Sequence, residues 1–149
     1  MTTRGSTVPM LAGIIGLWAH SDCAAAEPPG AVEPCIQRVL AEDDRLGRER
    51  NRAPEVAPID EAVRTYVRAI EALDYGGCPQ HFIDACSAHA AAWRATLPLL
   101  RRHAHRRGEM HALFKAIAAD PDGRDLPAYE AVIWKTWAEV ERASDQAAK

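Results

Sequence analysis

The chain has 149 residues, room for one domain and no more. Its 48% hydrophobic and 26% charged residues are a globular composition, which excludes a disordered chain. A formal charge of −3 gives no general case for nucleic acid, and the excess is too small for an acidic tail.

The N-terminus reads as a secretory leader. Arg4 is a positive start, Val8 to Trp18 is an apolar run of 11 residues, and Ala24-Ala25-Ala26 supplies the small residues of a cleavage site. A spanning helix needs about 20 apolar residues, so this run is too short to be one. Residues 1–26 are therefore expected to be a signal peptide removed after Ala26, and residues 27–149 a single domain in the periplasm or outside the cell. No later stretch is apolar enough to cross a membrane.

Glu27 to Gly30, with two prolines, is an extended lead-in. A first helix is expected from Glu33 to Arg50, carried by Cys35, Ile36, Val39, Leu40 and Leu46 at intervals of three and four. Gly47 and the charged Glu42-Asp43-Asp44-Arg45 run weaken its second half. Asn51 to Pro58 reads as a loop. The second helix shows the cleanest stripe: Ile59, Val63, Tyr66, Val67, Ile70 and Leu73, with Asp60 as a cap or Pro58 as its start. Tyr75-Gly76-Gly77 is expected to end it, glycine supplying the left-handed residue.

A third helix opens at Cys78-Pro79 and carries Phe82, Cys86, His89, Ala90, Trp93, Leu97 and Leu100. Pro98 lies inside it, so the helix is expected to kink or to restart there with Thr96 as the cap. A basic stretch, Arg101 to Arg107, holds four arginines in seven residues and runs to Gly108. Met110, Leu113, Phe114 and Ile117 mark a fourth helix, Asp120-Pro121-Asp122-Gly123 a turn, and Leu126 to Ala147 a last helix. No run alternates long enough for a strand. The expected fold is all-α: a small, roughly up-down bundle of four to five helices, the third one kinked or interrupted near Pro98.

Removal of the leader leaves Cys35, Cys78 and Cys86, and an oxidising compartment favours one disulfide. Cys78 and Cys86 on one helix would lie about 12 Å apart, beyond the roughly 7 Å that a bridge tolerates. Cys35 is thus the common partner. In an up-down bundle the first and third helices start at the same end, which favours Cys35–Cys78 over Cys35–Cys86.

Candidate chemistry is sparse. The arginine-rich turn (Arg101, Arg102, His105, Arg106 and Arg107) is the best candidate face for another protein or an anionic surface. Cations at a helix C-terminus also simply complement its dipole, as Glu109 suits the next helix start. His89, His103, Met110 and His111 form an alternative metal set, but no ligand spacing rule is met: His89 reads as a histidine packed at the core edge, and His103 and His111 as residues of a surface turn. There is no HExxH, paired CxxC or CxxCH, and no cofactor is implied. Cys86 and His89, three apart, are the only nucleophile–base spacing, so a thiol-dependent enzyme is the third reading. No GxSxG or phosphate-binding glycine loop occurs, and Asp43, Asp44, Asp84 and Glu109 form no working pair on one helix face. The leading expectation is a non-enzymatic interaction or binding module. A small-ligand or metal carrier built on the histidines around residues 103–111 is the alternative.

Overall fold

The computed structural model describes residues 32–147; the expected leader, cleavage site and lead-in fall outside them. Six helical segments follow one another: α1 (Val32–Arg52), α2 (Ile59–Glu71), α3 (Gln80–Ala95), α4 (Leu97–Arg102), α5 (Met110–Ala118) and α6 (Leu126–Ala147). A short 3-10 turn, Ala53–Glu55, follows α1. No strand occurs among the described residues, and none of their helices is long and apolar enough to cross a membrane. Counting α3 and α4 as one interrupted helix, this is an all-α bundle of five.

α1 does not weaken in its second half. The charged run that argues against a long helix is itself the stabiliser: Arg45 pairs with both Glu42 and Glu49, and Arg48 with Asp44, at three- and four-residue spacing. The helix therefore continues two residues past Arg50, into the stretch expected to be a loop. α2 starts after Pro58, while Asp60 is buried in an ion pair with Arg64 and caps nothing. α2 also ends without glycine, at Ala72 with φ −91°. The left-handed residue is Gly77, φ 82°, five positions further on, in the turn closed by Cys78 N–H donating to the Tyr75 carbonyl.

The third helix breaks at Thr96. Its buried hydroxyl donates to the Trp93 carbonyl, closing α3 rather than capping α4, and Pro98 then falls at the tolerated start of α4. α5 is capped as its sequence suggests, with the Glu109 carboxylate accepting from His111 N–H and Ala112 N–H.

Cys35 and Cys78 are joined by a disulfide, their Cα atoms 5.4 Å apart, which ties the start of α1 to the start of α3. Cys86 stays free and buried. Around the bridge, Ile36, Val39, Phe82, Cys86, Val140 and Ala143 form one apolar cluster. The larger cluster lies beyond it, with Val63, Tyr66 and Ile70 of α2 packed on Trp93, Leu100, Phe114, Ile117 and Ile133. α3 and α6 pack along their length, whereas α1 and α6 meet only sparsely. A cleft opens between α1 and α6.

Candidate binding cleft

The cleft is about 650 Å³, within the range of small-molecule sites. α1 gives one wall with Asp43, Asp44, Gly47, Arg48, Arg50 and Asn51; α6 gives the other with Trp134, Trp137, Glu141, Ser144 and Asp145. Tyr66 of α2 and His89 and Trp93 of α3 form the floor. Helical spacing brings these groups into register, since residues three or four apart share a face.

Arg50 reaches from the α1 wall over this floor. Its guanidinium carbon lies 3.8 Å from the centroid of the Trp93 ring and 4.4 Å from that of Tyr66, while its nitrogens donate to Asn51 Oδ1. The two rings meet edge to face, with centroids 5.7 Å apart. Tyr66 Oη donates to Asp43 Oδ1 at 2.6 Å. Burial holds the Asp43 carboxyl above its ordinary range against the opposing pull of that bond and of Arg50. Burial likewise lowers the pKa of Arg50 and raises that of Tyr66.

His89 is fully engaged. Trp93 Nε1 donates to its Nε2 at 3.2 Å, so the proton sits on Nδ1, which donates to Thr136 Oγ1 at 3.0 Å. The Thr136 hydroxyl in turn donates to the carbonyls of Val132 and Ile133. Burial, with Arg50 nearby, depresses the His89 pKa to about 4 and keeps the ring neutral. Neither nitrogen is left to ligate a metal or to take a proton from Cys86. Burial also pushes the Cys86 thiol up to about 12, far from a working thiolate.

The other sequence-derived candidates lie elsewhere. Arg102 donates to the Asp122 carbonyl and Arg106 pairs with Asp120, so two members of the arginine-rich turn bind the turn before α6. Arg107 folds back onto the Ala104 and Arg106 carbonyls, and Arg101 and His105 are exposed. His103, expected in a surface turn, is 2% exposed and faces Asp120 and Asp122. Met110 is buried; His111 is exposed and paired with Glu109. The four residues of the metal set are thus spread over separate surroundings.

Sequence reasoning missed Arg50, Asp43, Glu141 and Asp145 as members of one site. Two of these sit on the charged half of α1 and two on the outer face of α6, where charge normally means solvent. From the sequence, Trp93, Trp134 and Trp137 read either as core aromatics or as the lining of a pocket between helices; all three line the cleft, and Trp134 is 62% exposed. That exposure is a property of the fold and could not be read from the sequence.

The chain matches no family model, and comparison with curated proteins and with solved structures returned no match. Function therefore rests on the geometry of the chain itself.

Proposed function

We propose that this is an exported, non-enzymatic binding protein that holds a small cationic ligand with a flat apolar face in the α1–α6 cleft. The leader-like N-terminus and the disulfide support export. The observation that carries the ligand class is the lining itself, in which aromatic rings and carboxylates converge on one open space. Among the charges, Asp44 is paired with Arg48 and Asp43 lies beside Arg50, leaving Glu141 and Asp145 of α6 as the acidic excess. Trp134 offers an exposed ring, and Trp137 Nε1 donates to Glu141 Oε1 at 2.9 Å, which holds that carboxylate at the rim. A cation between aromatic faces and carboxylates gains from both.

Gly47 supports the same reading. A glycine inside a helix costs about 1 kcal/mol relative to alanine. Nothing in the fold requires it: a Cβ there would meet only the Arg50 guanidinium, at 3.8 Å. Its effect is to keep the α1 wall of the cleft thin.

Trp18 belongs to the leader, so every tryptophan of the processed chain lines the cleft and reports on it. Titration of the protein with aryl-alkyl quaternary ammonium probes should shift tryptophan emission saturably. Trp134→Ala and Glu141→Gln should each weaken binding without loss of helical signal. Absence of any saturable response, or unchanged affinity in both variants, would overturn the proposal.

A further inference from the structure

A second site lies away from the cleft, where the turn after α4 meets the turn before α6. We infer that His103, Asp120 and Asp122 form a site for one divalent transition cation of the zinc class. His103 is 2% exposed, and its Nε2 has no hydrogen-bond partner. A buried polar atom without a partner costs about 1–3 kcal/mol, so such an atom calls for an occupant. It is 3.6 Å from Asp122 Oδ2, and the His103 Nδ1 is 4.0 Å from Asp120 Oδ2. One ligand atom from each of the three residues lies within 4.8 Å of the others.

The 3.6 Å separation is too long for a hydrogen bond, which runs to about 3.2 Å. It suits two ligands of a shared ion: atoms about 2.0–2.1 Å from a tetrahedral zinc lie roughly 3.3–3.4 Å apart. One imidazole with two carboxylates is a borderline donor set that favours zinc over calcium or magnesium, which prefer oxygen alone.

The backbone of the turn that carries both aspartates is fixed before any ion arrives. Gly123 N–H donates to the Asp120 carbonyl at 3.0 Å, and Leu126 N–H to the Gly123 carbonyl at 2.9 Å. Arg102 donates to the Asp122 carbonyl at 2.8 Å. A Cβ on Gly123 would sit 1.9 Å from the Ile117 carbonyl oxygen, so the turn exists in this form only with glycine. Arg106 binds Asp120 through Oδ2, the same oxygen that faces His103 Nδ1, so an ion competes with Arg106 for that carboxylate. An ion here would clamp the two turns together, a structural role distinct from the cleft.

The test is zinc binding by the processed chain, followed by metal content after desalting and by thermal unfolding. One equivalent should be retained, and Tm should rise by about 5–10 °C at a hundredfold excess over Kd. Asp122 is 58% exposed, so Asp122→Asn should keep the helical signal while weakening zinc at least about tenfold. A variant carrying His105→Ala and His111→Ala should bind as the wild type does. No retained zinc, equal binding by Asp122→Asn, or loss of binding in the surface-histidine variant would each overturn the site.

Discussion

The Arg50 guanidinium stacks on the Trp93 ring at 3.8 Å, placing a cation from the most charged part of the sequence over the aromatic floor. The arrangement explains how α1 docks although its inward face past Leu46 is poor in apolar side chains. A desolvated cation–π contact contributes about 2 kcal/mol, and Arg50 makes two. Arg50→Gln should therefore lower unfolding free energy by about 2 kcal/mol or more in urea titration. Arg50→Lys should restore only part of it, because an ammonium lacks the planar face that lies on the rings. Full stability in either variant would remove Arg50 from this role.

His89 makes the fold sensitive to acid. Its pKa is about 4 in the folded chain against 6.5 for a free side chain. Between those values the unfolded state binds the proton and the folded state does not, so stability is full above pH 6.5 and is lost as the pH falls towards 4. The shift corresponds to about 3 kcal/mol as an upper bound. Asp43, whose pKa burial raises, acts in the opposite sense, gaining stability as it protonates. His89→Gln isolates the first contribution: the variant should show a shallower fall in Tm from pH 6.5 to 4 than the wild type. Parallel curves would contradict it.

Much of the fold was legible because helical period is a local property. The stripe of α2, the span of α6 and the Cys35–Cys78 pairing follow from spacing and the parallel starts of α1 and α3, while Pro98 told of a kink or a restart without deciding between them. The site was not legible, for a physical reason. Arg50 and Trp93 are 43 positions apart in sequence, and Arg106 and Asp120 are 14 apart. A charge reads as solvated until the fold supplies its partner, so His103 looked like a surface histidine and Arg106 like a free cation. The acidic Asp120-Pro121-Asp122 turn, so close after four arginines, was the available hint.

Cys86 should be inert in the folded chain. The thiol is buried, its pKa is raised to about 12, and His89 has no free nitrogen to activate it. Alkylation of Cys86 near pH 8 should be slow natively and go to completion only after denaturation. Reduction of Cys35–Cys78 should then lower stability by up to about 4 kcal/mol, the chain-entropy value for a loop of this size. Fast native alkylation would revive a thiol chemistry for this chain.

Gly123 carries the sharpest steric demand among the described glycines. An added methyl would fall 1.9 Å from the Ile117 carbonyl oxygen and 2.7 Å from its carbon, both backbone atoms that no rotamer change can move. The end of α5 would have to separate from the turn, breaking the bonds that join Asp120, Gly123 and Leu126. Overpacking costs about 1–3 kcal/mol where side chains can adjust, and here they cannot, so Gly123→Ala should lie at or above the top of that range in urea unfolding. The same variant should lose zinc, since Asp120 and Asp122 would shift relative to His103. Retention of stability but not of zinc would show a turn that relaxes at little cost yet must hold its carboxylates in place to bind the ion.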